Sequence, residues 1–203
     1  PAAVIRGAGQ IGANLMSLVN EGTIAARGSQ GLTIDPNTAG AQNSGTLLAD
    51  SGPLILVNGL FDNTDGEVVA GGGDVYIINC DISGGLLRTT GAGGAIHAGA
   101  SGGGSYLHNI TNQGVFRMVN DMDFAAAGTI TNTGTIQLQS VGNGTDVYLY
   151  GPLTFAGNGT IELSNSTENR FLDASGYRGF VLTNAGNLIV GRGQIGQNSI
   201  DIV

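Results

Sequence analysis

"TITNTGTIQLQ", residues 129–139, holds an asparagine, one residue, a glycine, then threonine and an apolar residue, followed by strict polar–apolar alternation. Alternation with a period of two is the mark of a half-buried strand, and the asparagine and glycine ahead of it mark a turn. The same phrase occurs as NEGTI at Asn20, NSGTL at Asn43, NQGVF at Asn112, NTGTI at Asn132 and NAGNL at Asn184. Looser copies are NTDGEVV from Asn63, SGGLL from Ser83 and GNGTI from Gly157. The glycines fall at 22, 45, 66, 85, 114, 134, 159 and 186, with gaps of 23, 21, 19, 29, 20, 25 and 27. A period in this range is the signature of a repeat architecture.

The apolar segments within each unit are short, as in LILVN (54–58), TIQLQ (135–139), DVYLY (146–150) and TIELS (160–164). Such a unit is too short for a β-α-β crossover, which takes about 30 residues. It suits one rung of a parallel β-solenoid, in which rungs stack about 4.8 Å apart and inward side chains lie like on like. The expectation is an all-β chain of eight or nine rungs of roughly 20–25 residues, forming a single segment over residues 1–203. Glycine and asparagine are expected in left-handed corner conformations. Asn20, Asn43, Asn112, Asn132 and Asn184 are expected at matching corners of successive or near-successive rungs, their amides bonding the backbone of the turn or one another.

Composition agrees with strands. The chain has 37 glycines, no tryptophan and no lysine; its seven basic residues are all arginine and its only glutamates are Glu21, Glu67, Glu162 and Glu168, so strong helix formers are scarce. A net charge of −8 argues against binding a nucleic-acid backbone, which calls for a basic patch. No apolar run approaches the 18 residues of a membrane span. The sequence begins at Pro1 without a methionine or signal peptide and reads as a fragment or a processed piece. Cys80, the single cysteine, has no disulfide partner within the chain and reads as a small apolar residue.

Residues 5–12, IRGAGQIG, spell the G-x-G-x-x-G of a dinucleotide-binding turn, which needs a helix after it to seat a pyrophosphate. The same motif returns as Gly191, Gly193 and Gly196 and there leads into SIDIV, a strand-like run. One motif that runs into a strand is not a helix-start signal, so no cofactor site and no helix after Gly12 are expected. Ile5, Gly7, Gly9, Gln10, Ile11, Gly12 and Asn14 match Ile189, Gly191, Gly193, Gln194, Ile195, Gly196 and Asn198 at one offset, 189 − 5 = 184, and Leu18 and Val19 match Ile202 and Val203. An offset without slippage predicts a module of about 184 residues repeated in tandem, with residues 1–14 pairing along the axis with a preceding copy.

Other candidate chemistry is sparse. NTDG (63–66) resembles the first motif of the polygalacturonases, but the further acidic, Gly-His-Gly and Arg-Ile-Lys motifs of that family are missing. Asp121 and Asp123 alternate onto one strand face, and Asp62 and Asp65 flank a turn; all four read as solvated carboxylates. His97 and His108 have no partner at ligand spacing, and GGGDVY (71–76) is a lone copy of a calcium-type repeat. The stretch GAGGAIHAGASGGG (91–104) reads as a Gly-rich corner or loop leaving the rod, or as a projecting binding loop that carries His97 and is followed by Tyr106 and His108. Threonine pairs such as those in TITNTGTI suit a flat ice- or glycan-binding face, but they are not sustained from rung to rung. The sequence thus predicts no catalytic, cofactor-binding or metal-ligating residue.

Taken together, the tandem N-x-G-T-I units, GLTIDPNTAG (31–40) and GAGQIG resemble the β-helical repeats of large bacterial secreted proteins of the filamentous-haemagglutinin and autotransporter-passenger type. The resemblance covers essentially the whole chain and is one of repeat style. It implies a right-handed parallel β-helix outside the bacterial cell or on its surface, serving as a stalk, adhesin or fibre. The expected partners are neighbouring copies head to tail, from the repeat at offset 184, and a surface glycan or host receptor. A carbohydrate-binding or carbohydrate-cleaving β-helix is the alternative.

Overall fold

The computed structural model describes residues 3–91, 93–99, 104–174 and 179–203. Short alternating segments leave no room for helix, and among these residues there is none. The described residues form 24 strands in one parallel sheet that winds as a three-sided coil. It opens with β1 (Val4–Gly7), β2 (Gly9–Ile11), β3 (Leu18–Asn20), β4 (Thr23–Ala26), β5 (Leu32–Ile34), β6 (Ala41–Asn43), β7 (Thr46–Ala49), β8 (Leu54–Val57) and β9 (Leu60–Asp62). It continues through β10 (Glu67–Ala70), β11 (Val75–Ile78), β12 (Asp81–Ser83), β13 (Leu86–Thr89), β14 (Ile96–Ala98), β15 (Tyr106–His108), β16 (Thr111–Gln113) and β17 (Val115–Val119). It ends with β18 (Phe124–Asn132), β19 (Thr135–Gln139), β20 (Thr145–Ala156), β21 (Thr160–Asp173), β22 (Phe180–Ala185), β23 (Leu188–Ile195) and β24 (Ile200–Ile202), of which β18, β20, β21 and β23 are long and bend round a corner.

Every third strand pairs as far as β15 with β18, the bent strands beyond pair at shorter spacing, and three faces result. Face A runs β1–β4–β7–β10–β13–β16, then the second halves of β18 and β20, then β22 and β24; with ten strands, it is nine windings from first to last. Face B begins at β2 and passes through β5, β8, β11, β14, β17, β19 and the first halves of β21 and β23. Face C begins at β3 and takes the remaining strands, ending in the second halves of β21 and β23.

Parallel register puts like over like inside. Face A stacks Ile24, Leu47, Val68 and Leu87. Face B stacks Leu54, Val75, Ile96, Phe116, Ile136 and Ile161, and face C stacks Phe61, Ile82, Leu107, Ala126 and Leu149. All of these side chains belong to one buried core that fills the coil. Each large one contributes about 2 kcal/mol by leaving water.

Two expectations about the corners are corrected. The recurrent asparagines and most of the glycines that follow them are not left-handed; the left-handed asparagines are Asn14, Asn58, Asn79, Asn109 and Asn198, which lie at other turns. The phrase needs glycine for closeness: a Cβ on Gly45 would lie 2.1 Å from the carbonyl oxygen of Gly22 one winding away. The second correction concerns phase. Gly22, Gly45, Gly66 and Gly85 precede face-A strands, at the corner entered from face C, whereas Gly114, Gly134 and Gly159 precede face-B strands. The gap of 29 between Gly85 and Gly114 is therefore one winding, Leu86 to Thr111, plus one further face. The phrase moves on by a face midway along the rod.

The terminal repeat moves in the same way. Ile5 and Ile11 lie on faces A and B, while their counterparts Ile189 and Ile195 lie on B and C. Local conformation is retained all the same. Gly12, Ala13 and Asn14 have φ of 97°, 48° and 57°, and Gly196, Gln197 and Asn198 have 92°, 40° and 63°. In each copy the next N–H returns to the glycine carbonyl, Leu15 to Gly12 at 2.9 Å and Ser199 to Gly196 at 2.7 Å. An offset of 184 residues thus spans eight windings and one face.

Candidate functional site

The predicted asparagines form two buried ladders. In the first, at the C-to-A corner, Asn20 Nδ2 donates to Asn43 Oδ1 at 2.7 Å and Asn43 Nδ2 donates to Asn63 Oδ1 at 2.6 Å. In the second, at the A-to-B corner, Asn112 Nδ2 donates to Asn132 Oδ1 at 2.8 Å and Asn132 Nδ2 donates to Asn187 Oδ1 at 2.8 Å. All six side chains are buried. The backbone of the phrase is the same at both corners. The N–H groups of Ser44 and Gly45 donate to Asn20 O, and those of Thr133 and Gly134 donate to Asn112 O. Each amide thus satisfies a neighbour that is cut off from water.

Asn184 does not join its predicted set. It is exposed, and it accepts the N–H of Asn187 and donates to the carbonyl of Asn187, at 3.1 and 2.9 Å. Asn187 takes the ladder place by reaching across the intervening corner at Gly157, which offers no side chain. Asn63 carries a sequence signal, since it stands 20 residues after Asn43 at the head of a looser copy. For Asn187 there is none, because its reach across a winding is a tertiary fact.

Outside the coil, each face carries a different row. On face A the row Thr23, Thr46, Glu67, Leu86, Thr111 and Thr131 is not a threonine array, because Glu67 and Leu86 interrupt it. Beside it runs an open groove of about 680 Å³ lined by Thr46, Thr64, Asp65, Glu67, Leu86 and Gln113 among others. The four-residue corner Asn63–Gly66 gives way there to the two-residue corner Gly84–Gly85. The NTDG motif thus lines a groove, but its neighbouring carboxylates are held ionised. Arg88 grips Glu67 through Nε at 2.6 Å and Nη2 at 3.1 Å, and this pair pulls the Glu67 carboxyl below its ordinary value. The Thr64 hydroxyl and N–H lower Asp62 in the same way. Neither carboxyl is suited to giving up a proton at neutral pH.

A pH prediction follows from Glu67. Because its folded pKa is depressed, the pair stabilises the fold above the ordinary carboxyl value of 4.5 and loses that contribution as pH falls through the lower folded value. Glu67→Gln should cost about 1 kcal/mol at neutral pH, and the difference from wild type should shrink below pH 4.5. Urea denaturation at several pH values measures it; a difference independent of pH would show that the ion pair is not its source.

Face B carries Tyr76, His97, Arg117, Gln137 and Glu162 in one row. Arg117 donates to Gln137 at 2.9 Å and Gln137 donates to Glu162 at 2.9 Å. His97 is not carried on a projecting loop: residues 96–98 of the Gly-rich stretch are β14, and the rest of that stretch lies partly outside the described residues. Its ring stacks on Tyr76 at 5.0 Å, with Nε2 3.5 Å from Asp74, and burial moves its pKa down, with Asp74 opposing.

Tyrosines collect on face C. Tyr106 meets Tyr150 edge to face at 4.9 Å, and the His108 ring lies nearly parallel to that of Tyr106 at 6.2 Å. The Tyr150 hydroxyl pushes Tyr106 up to about 12, and burial does the same for Tyr148. Asp121 and Asp123 do not share a strand face: Asp121 is exposed in a left-handed turn, while Asp123 is buried and accepts the N–H of Asp146 at 3.0 Å. Arg170 clamps Asp146 through two contacts of 2.7 and 2.6 Å. Cys80 is buried, and desolvation pushes its thiol up to about 12, leaving no reactive thiolate.

Among the described residues no group of three or more His, Cys, Asp or Glu side chains is placed to hold a metal ion, and no helix is long and apolar enough to cross a membrane. The Gly7–Gly12 stretch contains β2 and runs into a tight turn at Gly12–Leu15, not into a helix that would seat a phosphate. What recurs along the rod is hydrogen-bonded structure, not a cluster of reactive groups. No family profile, curated protein or solved structure matches the chain.

Proposed function

We propose that the chain is a structural segment of an extracellular rod or filament on a bacterial surface, a stalk, adhesin or fibre built from head-to-tail copies of one module. The observation that carries this reading is the terminal repeat: residues 5–14 and 189–198 share sequence and turn geometry at an offset of 184. A parallel coil adds copies without changing its cross-section, because each new strand takes up the free edge of the one before.

The test is a chain carrying a second period, with residues 20–203 appended after Val203. Small-angle scattering should show a rod longer by about 40 Å, eight windings and one face at about 4.8 Å each, with unchanged cross-section. Two beads on a string, or one doubled globule, would refute the proposal. The tyrosine row of face C favours carbohydrate binding as a second reading, since aromatic faces pack against the C–H faces of sugars. It would be read by glycan binding that is lost in Tyr150→Ala.

A further inference from the structure

We infer that successive modules are rotated by one face of the coil about the rod axis, so that Asn20 of the next copy sits directly over Asn184 and joins the two asparagine ladders into one. This rests on the tandem-module reading above. Val203 stands where Val19 stands in the repeat, so the residue that follows it in a tandem array is the next copy's Asn20. Strand β24 is already paired on β22, with Phe180 opposite Ile200, Val181 opposite Asp201 and Leu182 opposite Ile202. The Asn184 N–H donates to Val203 O at 3.0 Å, so the register runs on to the end of the strand. Two residues beyond the last of these pairs, Asn184 faces the incoming Asn20.

The ladder chemistry fits this contact. Within each ladder the Nδ2 of one asparagine donates to the Oδ1 of the next, as from Asn20 to Asn43 and from Asn112 to Asn132. Asn184 uses one Nδ2 proton on Asn187 O and keeps a second, and Asn20 Oδ1 accepts the Gly22 N–H at 3.2 Å and has a further lone pair. Rotation is what aligns them. The next copy's Asn20 belongs to a phrase that stood at the C-to-A corner in the first copy, and moving on by one face brings it to the A-to-B corner above Asn112, Asn132 and Asn187. The mid-module phase shift between Gly85 and Gly114 is the same step of one face. Asparagine phrases of adjoining half-modules therefore share a corner across every junction, and a feature on one face returns to that face at every third module.

The two-period chain tests this with paired cysteines. Ala185→Cys in the first period and Glu21→Cys in the second occupy the residue after each asparagine, are exposed, and stand one winding apart in the inferred register. Parallel neighbours at about 4.8 Å lie within disulfide range. Val181→Cys with Asp201→Cys, which the structure already pairs, is the positive control, and buried Cys80 stays silent. Mild oxidation should link the 185/21 pair as completely as the control. A rod of the expected length in which the control closes and the 185/21 pair stays reduced would overturn the rotation while leaving the tandem reading intact. A chain that does not lengthen into a rod would overturn both.

Discussion

Gly45→Ala should destabilise the fold by about 3 kcal/mol, the upper end for forcing an extra carbon into a packed site. The added Cβ would lie 2.1 Å from Gly22 O, 2.8 Å from Gly22 N and 2.9 Å from the Glu21 carbonyl carbon. All three are backbone atoms, so no side chain can swing aside; the two windings themselves must part. Parting them lengthens the Gly45 N–H to Asn20 O bond, now 3.1 Å, and the Thr46 N–H to Gly22 O bond, now 2.8 Å. Gly28→Ala is the comparison. There φ is 81° and nothing lies within 4 Å, so only the left-handed backbone strain of about 1 kcal/mol remains. Urea melts of the two variants separate crowding from strain, and equal losses would show that the phrase glycine is not set by the winding beneath it.

Asn132→Ala should cost about 3 kcal/mol as well, for a different reason. Asn132 is fully buried, accepts from Asn112, and donates to Asn187 and to Thr160 O at 3.2 Å. Truncation leaves the Asn187 Oδ1 and the Thr160 carbonyl short of a donor and takes the acceptor from Asn112, and a buried group left unpaired costs about 1–3 kcal/mol. Asn184→Ala in the same 203-residue chain should cost well under 1 kcal/mol, because the Asn184 side chain is exposed and bonds only within its own corner, while the backbone N–H to Val203 O bond is kept. Denaturation midpoints for the pair would tell them apart. A silent Asn132 would mean that the ladder is an ornament of the corner and not part of what holds the windings together.

Strand, turn and period were legible in the residues because they are local. Alternation in TIQLQ and DVYLY sets which side chains face inward, and the scarcity of helix formers leaves no competing structure. The return of Gly7–Gly12 as Gly191–Gly196, there running into a strand, spoke against a helix after Gly12, and the coil has a tight turn there in place of one. Asparagine at the head of each phrase could be seen to matter, yet its conformation could not. Left-handed φ and close backbone approach both select glycine, and a sequence records the selection without its cause.

Phase around the coil was decided by tertiary structure alone. Residue pattern alone settled a parallel coil, the approximate length of its rungs and the return of the Gly7–Gly12 motif at an offset of 184. Which corner a given phrase occupies depends on the summed lengths of all the strands and corners before it, and the longest gap holds a whole winding and one face together. Only the folded chain shows that Asn20, Asn43 and Asn63 stand at one corner while Asn112, Asn132 and Asn187 stand at another. The physical reason is that the phrase fixes a local turn, whereas hydrogen-bond register between windings sets where that turn falls. Asn187 could replace Asn184 in the ladder for the same reason: the contact runs across 55 residues of chain, through a gap left by a glycine in the winding between.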